Sequence, residues 1–160
     1  MDSNGGGPAS LTEMRVSRLD HVPGAPVARV VLEGAANRST SMTIALPASD
    51  AAPLVSALRP AGGECSAACD LVLAPARRLE AAVLHAVIDD GPDGVSAQLA
   101  LTHHADRFML GCDVIDALTL AVRAQAPIYA THRVLDRAAV NGHGASSCGT
   151  APPEPMPRRL

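Results

Sequence analysis

Ala81-Ala-Val-Leu-His-Ala-Val-Ile-Asp-Asp-Gly-Pro-Asp-Gly-Val-Ser-Ala-Gln-Leu-Ala-Leu101 decides the fold. Two apolar runs flank Asp89-Asp-Gly-Pro-Asp-Gly94. In that insert Gly supplies positive φ, Pro fixes φ, and Asp bonds its own backbone, so the stretch predicts a β-hairpin. Upstream, Met14 to Asp20 alternates at period two, Pro23-Gly24 breaks it, and Val27 to Glu33 follows. Gly34 to Asn37 then turns into Ser41 to Leu46, giving three strands of an antiparallel meander. Ser49-Asp50 opens a helix through Leu54, Val55 and Leu58, with Pro53 tolerated in its first turn. A second helix is predicted from Ser66 to about Ala74, where Pro75 should shorten or kink it. Downstream of the hairpin, Arg107 to Leu110 reads as a strand, Asp113 to Arg123 as the best helix, and Pro127 to Ala130 as a short strand before a final helical turn. This order predicts a single α+β domain with a mixed, largely antiparallel sheet and about three helices.

The chain has 160 residues, enough for one core of ordinary size. Hydrophobic residues make up 48%, yet Phe108 and Tyr129 are the only aromatics, so the core must be built from Ala, Val, Leu and Ile. All 13 basic residues are Arg, and the 16 acids leave a net charge of -3, which excludes a strongly basic nucleic-acid binder. No apolar stretch approaches the roughly 20 residues that span a bilayer. The N-terminus lacks the basic and apolar regions of a secretory signal, so a cytoplasmic location is expected. Cys65, Cys69, Cys112 and Cys148 are too few and too irregular for a disulfide framework. Residues 1–12 and 139–160, rich in Gly, Pro and Ser, are expected to form disordered tails around a domain at 13–138.

The strongest polar pattern lies on the helix at Asp113. Asp113 sits where an N-cap belongs and Asp116 falls three residues on, so both would satisfy free N–H groups and the helix dipole with no chemistry at all. At 100° per residue, Val114, Ile115, Leu118, Ala121 and Val122 share an apolar face, and Asp116, Thr119 and Arg123 line the opposite one. His103-His104-x-Asp106 has the composition of a metal cluster, but adjacent strand residues point to opposite faces. His85 alternates with Val83 and Val87 and is expected to pack in the sheet.

Leu110-Gly-Cys-Asp-Val-Ile-Asp-Ala-Leu-Thr-Leu-Ala-Val-Arg-Ala-Gln-Ala-Pro-Ile-Tyr129 resembles the signature of the bifunctional nuclease (BFN) domain family, an Arg-Pro-Ser-Asp-Ala motif, an apolar helix ending in Arg, and Ala-Pro-Ile before an aromatic. Asp116-Ala117, Arg123 and Ala126-Pro-Ile-Tyr129 match it. Met42-Thr-Ile-Ala-Leu-Pro47 and Ala68-Cys-Asp-Leu71 correspond to two further family segments, so the resemblance covers roughly residues 13–138. Asp113, Val114 and Ile115 replace the motif Arg, Pro and Ser, while Ala68 and Cys69 replace a Thr and a His. The resemblance implies hydrolysis of RNA and DNA phosphodiesters, with Asp70, Asp116 and Arg123 as the polar residues carried over. Asp70 and Asp116 have the hard oxygens that suit Mg²⁺ or Mn²⁺. It also implies a homo-oligomer, a dimer or a multiple of one, with RNA or DNA as substrate and no membrane partner. The alternative is a catalytically inactive oligomeric binding or regulatory module of the same fold.

Overall fold

The computed structural model describes residues 10–59 and 67–143, with side chains described over 10–59 and 72–140. In chain order the elements are β1 (Leu11–Asp20), β2 (Val27–Gly34), β3 (Ser41–Pro47), a 3-10 turn (Ala48–Ala51), α1 (Ala52–Leu58), α2 (Ala67–Arg78), β4 (Ala81–Gly91), β5 (Gly94–His103), β6 (Asp106–Cys112), α3 (Val114–Ala124), β7 (Ile128–Thr131) and α4 (His132–His143). All seven strands lie in one sheet, in the order β3-β2-β1-β7-β4-β5-β6. Every pairing is antiparallel except that of β4 with β7. The architecture is the α+β fold with a mixed, largely antiparallel sheet that the residue pattern predicts.

The sheet consists of two three-stranded meanders joined by one short strand. β1 to β3 and β4 to β6 each follow chain order, as local hairpins do. The β4–β5 turn is only Pro92-Asp93, closed by Gly91 opposite Gly94, whose φ of +122° is one that side-chain-bearing residues avoid. β6 is an edge strand, and α3 carries the chain back from it so that β7 inserts between β1 and β4. There β7 runs antiparallel to β1 and parallel to β4. A parallel neighbour requires such a crossover, and α3 supplies it.

One core joins the halves. Val30, Leu32, Met42 and Ile44 from the first meander, Ile88 and Leu99 from the second, and Ile128 and Ala130 from β7 are all buried. Leu54, Leu118 and Val134 enter the same cluster from α1, α3 and α4. Small residues take the place of aromatics. Ala117 and Ala121 of α3 and Ala86 of β4 are fully buried, which lets a helix lie close to the sheet where α3 packs on β4.

Gly34 closes the first meander, because its N–H donates to the Thr40 carbonyl at 2.8 Å and an added Cβ would stand 2.5 Å from the Asn37 carbonyl oxygen. That oxygen is itself fixed, since it accepts from the Thr40 N–H at 3.1 Å. Gly34→Ala is therefore expected to lower stability by about 1–3 kcal/mol, the usual cost of overpacking. A urea midpoint equal to that of the unsubstituted protein would contradict this placement of the loop.

Several expectations are corrected. Among the described residues there are four α-helices, the three expected and the final helical turn, which extends over the whole of α4. Val134 is buried and Leu135 and Ala138 pack against the core, and this i, i+1, i+4 anchor holds a helix whose other face is polar. α2 does not stop at Pro75 but runs on to Arg78, where the Leu79 N–H donates to the Pro75 carbonyl at 3.0 Å. Thr119 is buried, not part of a polar face, and its hydroxyl donates to the Ile115 carbonyl at 2.6 Å. That bond is what makes burying a hydroxyl tolerable. β1 begins at Leu11 and α4 reaches His143. The remainder of the two expected tails, residues 1–9 and 144–160, lies outside the described residues.

Candidate functional site

Strand direction gathers the polar residues at one end of the sheet. β4, β6 and β7 all run the same way, so their carboxyl ends coincide: Asp89-Asp90 on β4, Cys112-Asp113 after β6, and Thr131 on β7. α3 and α4 start at this end, each from the strand before it, so two helix N-termini with their unpaired N–H groups converge there. In sheets with parallel strands, ligand sites favour this end.

A hydrogen-bonded network occupies the β4, β7 and α4 side. The Thr131 hydroxyl donates to Asp89 Oδ1 at 2.6 Å, and the Asp90 N–H donates to the same oxygen at 2.8 Å. Arg133 donates to the Asp90 carbonyl at 2.5 Å and has its Nε 3.9 Å from Asp89, while Arg137 pairs with the Asp90 carboxylate. Burial by itself raises the Asp89 pKa, but the Thr131 hydroxyl, the Asp90 N–H and the charge of Arg133 outweigh it and hold the carboxyl below its ordinary value. A depressed folded-state pKa adds stability that is complete above the ordinary carboxylate range and is lost as pH falls through the folded value. Asp89→Asn should therefore lower the melting temperature at pH 7 and make no difference near pH 2, a contrast that melts across this range can check.

On the α3 side, Asp113 occupies the N-cap position and Asp116 the first turn, and both are exposed. The expected capping bond is absent: the Asp113 backbone is extended as a cap requires, but its side chain makes no cap hydrogen bond, leaving the carboxylate directed elsewhere. Burial, then the charges of Asp116 and Asp113, raise the Cys112 pKa, which favours the thiol over the nucleophilic thiolate. At the far end of α3, Gln125 adopts the left-handed conformation and the Ala126 N–H closes on the Ala121 carbonyl at 2.9 Å, ahead of Pro127. Arg123, in the last turn, has Nε and Nη2 buried, where they are shielded from solvent. Asp70 lies on α2, which packs against α3, but its side chain lies outside the described residues. Asp116 and Arg123 are thus at opposite ends of one helix.

Residues not singled out from the sequence border this network on the side of α4. Arg18, Arg29 and Arg137 line a cleft of about 640 Å³ together with Ser41, Thr43 and Asp20, and Val95, which pairs with Asp90, lies on its rim. Arg137 both lines the cleft and holds Asp90, so cleft and network are contiguous. No local motif marks these arginines, which come from three distant segments.

The histidine cluster lies at the opposite end. His104, at φ +53°, forms the β5–β6 turn, and its Nδ1 is 3.0 Å from Glu80 Oε2. Among the described residues no three His, Cys, Asp or Glu side chains come together as a metal site. His85 is half-buried and meets Tyr129 edge to face with ring centroids 5.5 Å apart, as packing in the sheet requires. Cys69, like Cys65 and Cys148, has no described side chain. No described helix is long and apolar enough to cross a membrane.

One mixed α+β sheet that gathers acids, arginines and two helix starts at the carboxyl end of β4, β6 and β7 defines the class of domain. The bifunctional nuclease domain model matches residues 30–143, and the chain belongs to that family. No curated protein matches it.

Proposed function

We propose that this protein hydrolyses phosphodiester bonds of RNA or DNA at the carboxyl end of β4, β6 and β7. The observation that supports it most is that, in a chain of this family, the acid and arginine network at the carboxyl ends of β4 and β7 continues through Arg137 into an arginine-lined cleft. Hydrolysis needs a group that takes a proton from the attacking water and positive charge around the phosphate as its oxygens crowd. Asp116 is assigned the first role. The water oxygen bonds to phosphorus, its proton passes to the Asp116 carboxylate, and the bond to the leaving nucleoside oxygen breaks as that oxygen takes a proton from solvent water. Arg18, Arg29 and Arg137 draw the phosphate backbone into the cleft, with bidentate geometry that suits phosphate oxygens. Arg123 is assigned a positioning role on α3, and Asp70, carried on α2, is the remaining polar candidate. Since no described group fits a metal ion, no step is routed through one.

The test is degradation of labelled single-stranded RNA and DNA by tag-free protein, in parallel arms with Mg²⁺, with Mn²⁺ and with chelator. Cleavage in any arm supports the reading, and intact substrate in all of them rejects it. The burial of Nε and Nη2 of the half-buried Arg123 favours the alternative, a binding or regulatory module of the same fold, because those two nitrogens are not offered to phosphate. Under that reading the oligonucleotides are retained uncut or ignored altogether. The substrate partner and a cytoplasmic location are part of this proposal.

A further inference from the structure

β6 is an edge strand with no outer neighbour among the described residues, and it carries the most apolar exposed run of the sheet. Phe108, Met109 and Leu110 are 48%, 51% and 51% exposed. Edge strands are ordinarily blunted by charge or proline, and β6 has charge only at its start, in Asp106 and Arg107. Phe108 and Leu110 also form the rim of an apolar groove of about 230 Å³ that reaches Val72 and Leu73 of α2 and Leu120 of α3. The other edge is protected, since α4 packs against β3 and that strand ends in Pro47.

We propose that β6 is a self-association surface, pairing antiparallel with β6 of a second copy about a two-fold axis through Met109 and joining two sheets into one. Register selects this arrangement. Among pairings that keep the helices of both copies on the same side, the one centred on Met109 is the only one that pairs every residue from Asp106 to Cys112. Phe108 then lies opposite Leu110 of the partner subunit, twice over, and these pairs close the mouths of both grooves. Arg107 lies opposite Gly111 of the partner subunit. A side chain built on Gly111 would meet nothing within 4 Å, so this position leaves room for the arginine to cross.

Charge complementarity supports the same register. Two residues beyond Gly111 is Asp113, so Arg107 becomes the diagonal neighbour of Asp113 of the partner subunit, and symmetry makes the pair twice. Arg107 and Asp113 are exposed, and neither takes part in an ion pair among the described residues. The pairing also brings the His103-His104 turn of each copy alongside the α3 start of the other.

Sedimentation velocity from 1 to 100 µM tests this. The expected species has twice the 16.3 kDa chain mass. Phe108→Glu, at an exposed position that leaves folding intact by circular dichroism, should raise the dimer Kd at least tenfold. Arg107→Asp and Asp113→Arg should each raise it roughly 3- to 10-fold, as two exposed ion pairs would. The double variant should recover most of that loss. A monomer at 100 µM overturns the proposal, and if β6 amides in such a monomer are protected from exchange, the edge belongs to the chain's own terminal residues. A dimer indifferent to Phe108→Glu places the contact elsewhere, and failure of the double variant to recover overturns the Met109-centred register. None of these readouts depends on hydrolysis, so they stand or fall apart from the nuclease proposal.

Discussion

Asp116→Asn is expected to reduce hydrolysis of single-stranded RNA and DNA by about 10²- to 10⁴-fold, the usual contribution of a positioned general base. Asn keeps the shape and the hydrogen-bonding oxygen of Asp, so a purely structural role survives the exchange. Proton acceptance does not. Asp113→Asn serves as the control, because it sits at the same helix start and makes no capping bond, so it should change neither rate nor melting temperature much. If Asp116 does no more than complement the dipole of α3, its variant instead loses about 0.3–1 kcal/mol of stability with no change in rate. Unchanged hydrolysis in Asp116→Asn removes Asp116 from the site, whatever the stability shows.

Leu118→Ala is expected to destabilise the domain by about 2–5 kcal/mol. Leu118 is fully buried in the cluster that α3 shares with Ile88 and Leu99. Its neighbours on that helix, Ala117 and Ala121, have no atoms to move into the space, so the cavity stays open and the cost should fall toward the upper part of the range. Val72→Ala, at a position 58% exposed on α2, should stay within about 0.5 kcal/mol. Equilibrium urea unfolding of the two variants checks the difference. Equal midpoints would mean that the face of α3 turned to the core has been misplaced.

The strands were legible because their signals are local. Asp89 to Gly94 can hardly be anything but a turn, and Pro23-Gly24 and Gly34 punctuate the first meander as clearly. Where β7 would lie was not legible, since four residues of alternating burial give no indication that one neighbour is parallel and the other antiparallel. α4 was underestimated for a related reason: its anchors are Val134, Leu135 and Ala138, and its remaining residues resemble the polar segment that follows. Thr119 shows the limit of placing a helix face by residue type, because a hydroxyl bonded to the carbonyl four residues back can be buried like an alanine. Of the candidate residues, Asp116 could be found from a motif. The Asp89, Thr131 and Arg133 network and the cleft arginines could not, as they meet only through strand order.

β7 has a temporal consequence. Leu11 pairs with Thr131, contacts of the widest sequence separation in the fold, whereas each meander is closed by neighbouring segments. Non-local closure is slow relative to hairpin formation, so the two meanders should form first as separate units and become one sheet only when β7 inserts. Pulse-labelled hydrogen exchange should find the β7 amides protected last. Because Thr131 is the residue that fixes Asp89, and α4 with Arg133 and Arg137 follows it, the polar end of the sheet is assembled only after both meanders have been made. A chain synthesised only as far as β6 would carry both halves of the sheet and none of the Thr131, Arg133 and Arg137 groups that complete the network at its polar end.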